Sequence, residues 1–317
     1  MDSLEDKILR EEKVAPEGIL TALKSLPPRE LWEMAHRITE HFKPASFDFC
    51  AIVNARSGRC SENCKWCAQS VHWKTSCQTY GWIGTDACVD AAKAAEANRV
   101  RRLGIVTAGK GQSPADIDAI ANAIRAMNKA SSIEICTSLG LVDEASLRKL
   151  KDAGLKRVHC NLETAPSYFT ELCTTHTTAE KIATLRAARK IGLEICCGGI
   201  LGMGESDEQL VEFAFALKEI APDSIPMNFL DPIPGTPLGE RPFLTMARIL
   251  TSIAIMRLVN PKTPLRFAGG RRKLSDADAA HAIYVGINAG IQGPLLTTPG
   301  ADYADDRHLA IKAGYGV

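Results

Sequence analysis

Three of the eleven cysteines in this 317-residue sequence are spaced as ligands. They form the run Cys60-Ser61-Glu62-Asn63-Cys64-Lys65-Trp66-Cys67, a C-x3-C-x2-C pattern. Thiolates are the usual holders of iron–sulfur clusters, and close spacing lets one loop wrap one cluster. A four-iron cubane held by three cysteines keeps one iron free of protein, and that iron can bind a small chelating molecule. Zinc is the alternative, but structural zinc takes four protein ligands in paired knuckles, and no fourth ligand stands nearby. The remaining cysteines divide between further ligands and buried apolar thiols.

A loop of this kind needs a frame. Strand-like apolar runs occur at 49–54, 103–107, 133–137, 157–162, 194–201, 224–230, 265–268 and 291–296, with helical runs between them. Helix starts are signalled by Ser113-Pro114, by Ser206 with Gln209, and by Asp143, Thr178 and Ser275. Gly154 and Gly192 sit where helices end. Eight strands joined by crossovers predict a parallel sheet. Closure gives an α/β fold, a (β/α)8 TIM-type barrel, and an open doubly wound sheet is the alternative. Residues 1–45 read as an N-terminal helical extension, with Pro28 near the start of its second helix and Leu31, Ala35, Ile38 and Phe42 on one stripe. Residues 46–317 form the barrel. The cysteine loop follows the first strand, at the end of the barrel where chemistry belongs.

The spacing and its place after strand one resemble the radical S-adenosylmethionine (SAM) superfamily. Further segments narrow the resemblance to biotin synthases. They are 54–60 with 67–70, Asn161-Leu162-Glu163-Thr164, the glycine-rich 198–205, Pro226-Met227-Asn228-Phe229-Leu230 with 235–238, Arg266-Phe267-Ala268-Gly269-Gly270-Arg271, and Leu295-Leu296-Thr297-Thr298. The resemblance implies a [4Fe–4S] cluster on Cys60, Cys64 and Cys67 that reductively cleaves SAM, giving a radical that takes hydrogen from carbon. It implies contacts to SAM from Trp66, Glu163, Gly199 and Ile200. Lys181 stands where the family often has an arginine for the SAM carboxylate. Asn161 and Asn228 would bind dethiobiotin, which receives sulfur and becomes biotin. Each has a plainer reading: core packing for Trp66, a solvated helix position for Lys181, backbone capping for the asparagines.

The family also implies an auxiliary iron–sulfur cluster deep in the barrel, held in its best-known members as [2Fe–2S] by three cysteines and one arginine. Cys136, Cys196 and Arg266 keep three of these positions, and they are the expected catalytic set. Gly104 occupies the fourth and cannot ligate iron. A larger cluster recruiting Cys160, with Cys197 a weaker candidate, is the expected answer, and a three-ligand cluster with both thiols merely packed is the rival. Strand parity opposes the recruitment: if Asn161 and Cys196 face inward, Cys160 and Cys197 face the helices. Cys50, Cys77, Cys88 and Cys173 fit no ligand pattern.

Lys+Arg at 38 against Asp+Glu at 37 gives no reason to expect nucleic acid or an anionic membrane as partner. The charged segment Met1–Lys13 has no apolar core of a secretory signal, and no apolar run approaches the roughly 20 residues of a membrane span. A cytoplasmic location is expected, and the resemblance adds a flavodoxin- or ferredoxin-type electron donor and a homodimer. The competing functions are another radical SAM enzyme, related to hydrogenase-maturation proteins, and a non-catalytic iron–sulfur carrier.

Overall fold

The computed structural model describes residues 3–297, 300 and 303–317. Three helices lead: α1 (Leu4–Leu9), α2 (Pro16–Ser25) and α3 (Pro28–His41). The helix begun at Pro28 is therefore the third, not the second. Its stripe of Leu31, Ala35 and Ile38 is buried, and it packs against later helices of the barrel wall.

The barrel follows as β1 (Asp48–Arg56), α4 (Thr85–Ala97), β2 (Arg102–Thr107), α5 (Pro114–Ala130), β3 (Glu134–Ser138), α6 (Glu144–Asp152), β4 (Arg157–His159), α7 (Pro166–Leu172) and α8 (Thr178–Lys190). Its second half is β5 (Glu194–Cys196), β6 (Gly199–Leu201), α9 (Asp207–Ile220), β7 (Ile225–Phe229), α10 (Met246–Val259), β8 (Leu265–Phe267), α11 (Asp276–Val285), β9 (Ala289–Gln292) and α12 (Tyr303–Lys312). The expected caps at Ser113, Asp143, Ser206 and Ser275 accept hydrogen bonds from backbone N–H groups. At α8 the cap is Thr177, one residue before the predicted Thr178, because Glu180 completes a capping box with it.

All neighbouring strands are parallel, in the order β5-β4-β3-β2-β1-β9-β8-β7-β6. The two ends of this order are the halves of the single strand expected at 194–201. It breaks at Cys197-Gly198: its first half pairs with β4 and its second with β7. Bridges Glu163↔Gly199 and Cys196↔Ser224 join the halves to their other neighbours and close the ring. The close approach explains the glycines. A Cβ on Gly198 would lie 2.0 Å from the Pro226 carbonyl oxygen, and one on Gly199 would lie 2.3 Å from that of Glu163.

Side-chain parity divides the barrel wall. Leu103, Ile105, Ile135, Val158, Leu162 and Ile195 point outward into the core shared with the helices. The alternating residues line an interior cavity. Among the described residues no helix is long and apolar enough to cross a membrane.

Candidate active site

The cavity runs along the barrel axis and encloses about 340 Å³. Its mouth is formed by the cysteine loop. Ser57 and Tyr80 exchange backbone hydrogen bonds of 3.1 Å and pinch the loop's base. Inside it, Cys60 N donates to the Gln69 carbonyl at 2.9 Å and Val71 N to that of Cys60 at 2.9 Å. Gln69 Oε1 accepts from Ser57 Oγ and Gly58 N, and Trp73 Nε1 donates to the Cys64 carbonyl at 2.9 Å. The loop is thus wound by its own backbone, and every cysteine in the chain is a free thiol.

Cys67 and Trp66 line the cavity. Burial pushes the Cys67 thiol up to about 11, and it raises Cys60 as well. Cys64 lies beneath the loop, where its thiol donates to Cys173 Sγ at 3.6 Å. This contact holds Cys64 protonated and lowers Cys173, which also faces His176 Nδ1 at 3.3 Å. Among the described residues, Cys64, Cys173 and His176 are the donors that lie within 4.8 Å of one another. The ligands of a cubane bind different irons and need not converge so tightly. Three thiols free of disulfides on one pinned loop fit a [4Fe–4S] cluster; iron would replace the Cys64–Cys173 contact.

One wall of the cavity carries Asn161, Glu163, Ile200 and Asn228. Glu163 has φ +74°, a left-handed backbone rare for this residue. Its N–H donates to Gly198 O and its carbonyl accepts from Ile200 N at 2.7 Å, so the barrel closure imposes the strain. The Glu163 carboxylate accepts from Asn161 Nδ2 at 3.2 Å. Both asparagines also bind backbone: Asn161 Oδ1 accepts from Gly198 N, Asn228 Nδ2 donates to Gly199 O, and Asn228 Oδ1 accepts from Gly269 N. Each amide keeps one donor and one acceptor position open. Lys181 is outside the lining. Its ammonium sits 5.6 Å from the Phe169 ring centre, buried on α8. Burial opposes its charge, yet the nearby Glu163 carboxylate and thiols hold its pKa above the usual value.

The floor is built from regular strands. Cys136 on β3, Cys196 on β5 and Arg266 on β8 all reach the cavity, as does Gly104. So do three residues that motif reading passed over: Cys50 on β1, Arg102 on β2 and Arg157 on β4. Arg102, Arg157 and Arg266 are only 4%, 6% and 1% exposed, and each is ion-paired. Arg102 forms ion pairs with Asp48 and Glu134 at 2.7 Å, Arg157 with Glu194 at 2.5 Å, and Arg266 with Asp48. Burial raises the three thiols, Cys136 to about 12, while Arg157 and Arg266 pull the other way. Branched apolar residues normally fill a barrel of this type, so a layer of thiols and guanidinium groups marks a site. Soft sulfur donors fit an iron–sulfur cluster. Cys160 and Cys197 sit behind the wall, in the core against the helices, and line no part of the cavity. Of the eighth-strand segment, Leu295, Leu296 and Thr297 line the cavity, and Thr298 lies outside the described residues. The missed residues left a signal in strand parity. Cys50 and Ile52 share one face, as do Arg157, His159, Asn161 and Glu163, and an inward arginine in an apolar strand is anomalous.

Two family models match the chain: the radical SAM superfamily over residues 55–217, and the biotin and thiamin synthesis associated domain over 226–316. A biotin synthase of Porphyromonas gingivalis is 45% identical over 317 residues, covering 100% of this chain and 96% of that protein. Among solved structures, methylornithine synthase aligns with TM-score 0.81 at 16% identity, covering 99% of this chain and 97% of the other. The [FeFe]-hydrogenase maturase of Carboxydothermus hydrogenoformans aligns with TM-score 0.82 at 15% identity, covering 98% and 77%. Those two likenesses establish the barrel alone.

Proposed function

The chain belongs to the biotin synthase family of radical SAM enzymes, sulfurtransferases that convert dethiobiotin to biotin, and on that premise we propose how its residues divide the work. When bound, the [4Fe–4S] cluster with SAM supplies the hydrogen-abstracting radical, and the auxiliary iron–sulfur cluster supplies the sulfur atom. Cys60, Cys64 and Cys67 hold the first group at the mouth. Trp66, Ile200 and the Gly199 backbone form the SAM wall beside it. Glu163, bent into the cavity by its left-handed backbone, accepts hydrogen bonds from the SAM ribose. Lys181 gives positive charge behind that wall without contacting the cavity.

Asn161 and Asn228 face the cavity between mouth and floor, and their remaining amide capacity suits the paired donors and acceptors of the dethiobiotin ureido ring. Their bonds to backbone fix the amides before substrate arrives, which lowers the cost of binding. Cys136, Cys196 and Arg266 serve the auxiliary cluster at the floor. A substrate held between mouth and floor is within reach of radical and sulfur together, and the enclosed barrel keeps water from the reacting carbon. Helices α1–α3 are an extension over the outer wall of the catalytic barrel. From the family we also take a flavodoxin- or ferredoxin-type reductant, a homodimer and a cytoplasmic location; eleven free thiols suit a reducing compartment.

The observation that carries this reading is one cavity with a cysteine loop at its mouth and buried thiols at its floor. Anaerobic turnover with dethiobiotin deuterated at the two reacting carbons tests it. Deuterium should appear in 5′-deoxyadenosine, with one SAM consumed for each C–H bond broken. SAM cleavage with unlabelled 5′-deoxyadenosine would contradict the substrate assignment.

A further inference from the structure

The floor has a regularity that the retained positions alone do not explain. Six strands contribute Cys50 (β1), Arg102 (β2), Cys136 (β3), Arg157 (β4), Cys196 (β5) and Arg266 (β8) to one cavity. Along β1 to β5 cysteine and arginine alternate strand by strand. The register makes Cys50 the direct neighbour of Arg102, and Cys136 that of Arg157. Such a layer places three potential thiolates and three guanidinium groups around one cavity in the barrel interior. The pairing offsets the cost of burying negative sulfur.

Cys50 is part of this layer by contact as well as by register. Its Sγ lies 3.1 Å from Arg266 Nη1, with the guanidinium as donor. Arg266 already donates from all three of its nitrogens. Nη1 also donates to the Asp48 carbonyl at 2.8 Å and the Gly290 carbonyl at 2.9 Å, Nε donates to Ser224 Oγ at 3.2 Å, and Nη2 donates to the Asp48 carboxylate. A nitrogen that binds iron must turn a lone pair to the metal and give up its proton. Here all three guanidinium nitrogens point N–H groups at fixed acceptors, and the carboxylate of Asp48 keeps the group cationic. A donor is thus missing at two places: at Gly104, which has no side chain, and at Arg266, which is engaged elsewhere.

On the reading that an auxiliary cluster binds the floor, we propose that the Cys50 thiolate is its third protein ligand beside Cys136 and Cys196, and that Arg266 is a positioning cation, hydrogen-bonded to the Cys50 sulfur and not bonded to iron. Ligation breaks the Cys50 S–H bond, forms an S–Fe bond and releases the proton to solvent, with no change of oxidation state. Cys160 and Cys197 cannot take this part without turning their strands inside out.

The test uses the full chain with Cys60→Ala, Cys64→Ala and Cys67→Ala, reconstituted anaerobically with 57Fe and sulfide so that iron reports the floor alone. Adding Cys50→Ala should lower bound iron at least fivefold or replace the Mössbauer spectrum, as Cys136→Ala should, while Cys160→Ala leaves iron content and spectrum near the parent's. Cys50→Ser, which keeps the side chain's size, serves if the alanine variant does not fold by circular dichroism. A second measurement needs no floor substitution. Pulsed EPR of the reduced cluster in protein carrying 15N-arginine should show no directly coordinated nitrogen. Iron that is sensitive to Cys136→Ala but indifferent to both Cys50 variants would overturn the Cys50 assignment and leave the floor cluster standing. A strong coupling that changes with 15N-arginine would overturn the role given to Arg266. A folded parent that binds no iron would remove the floor cluster and this proposal together.

Discussion

The mouth and the floor of the barrel hold sulfur donors in opposite ways. At the mouth, three cysteines come from eight consecutive residues, and backbone hydrogen bonds of a loop set their positions. At the floor, the thiols come from separate strands up to 146 residues apart, and sheet register sets them. The mouth positions Cys67 beside a wall open to a cofactor; the floor surrounds its thiols with buried arginines. A loop can adapt its ligands to one exposed iron–sulfur unit. A strand layer presents a fixed charge pattern suited to a group that must stay put beside the substrate.

The sharpest break of this comparison removes a mouth ligand. Cys64→Ala should abolish reductive SAM cleavage, a loss of at least a hundredfold in 5′-deoxyadenosine formation, while the floor keeps its iron. Undiminished cleavage would show that the loop is not the SAM-binding centre.

The closure that joins mouth to floor can be broken next. Gly199→Ala places a Cβ against the Glu163 backbone, at 2.3 Å from its carbonyl oxygen and 2.7 Å from its Cα. The bridge must open or Glu163 must leave its left-handed conformation. A stability loss of about 2–4 kcal/mol is expected in denaturant titration, with a raised KM for SAM. A variant of wild-type stability and KM would mean that the bridge is not a constraint.

The smallest effect concerns His159, which faces the cavity from β4. Burial holds its pKa down to about 4, against about 6.5 in an unfolded chain. The unfolded state takes up a proton near pH 6.5 and the folded state only near pH 4. Stability from this group is therefore complete above pH 6.5 and falls as pH drops toward 4. The change should be about 1–2 kcal/mol in metal-free protein, because His159 borders the cavity and is not packed on every side. His159→Gln should flatten the slope between pH 4 and 6.5. An unchanged slope would place the titration elsewhere.

The two regions also differ in how much of them the sequence makes legible. The mouth is contiguous, so Cys60, Cys64 and Cys67 stand out by spacing alone. The strands were legible as apolar runs, except that 194–201 read as one element and the last run, 291–296, overlaps its strand, Ala289–Gln292, at two residues only. The Cys197-Gly198 break depends on Pro226 and Glu163 carbonyls brought close by the fold, and no local pattern carries that. At the floor, parity opposed the expectation that Cys160 or Cys197 joins the cluster, and both thiols lie behind the wall. The same rule applied to β1 would have brought Cys50 inward, but Cys50 belongs to no motif. Its significance depends on Arg266, 216 residues away. Asp48 was invisible for the same reason: an acid at a strand start looks solvated until the arginines it pairs with are known.

The division of labour between mouth and floor is tested most directly by following the sulfur atom. Protein reconstituted with 34S-sulfide, freed of unbound sulfide and turned over once without oxygen in unlabelled buffer should yield biotin carrying 34S. Cys136→Ala, with its mouth intact, should still cleave SAM and form no labelled biotin. Unlabelled biotin from the wild-type protein, or 34S-biotin at the wild-type yield from Cys136→Ala, would contradict a floor that supplies the sulfur.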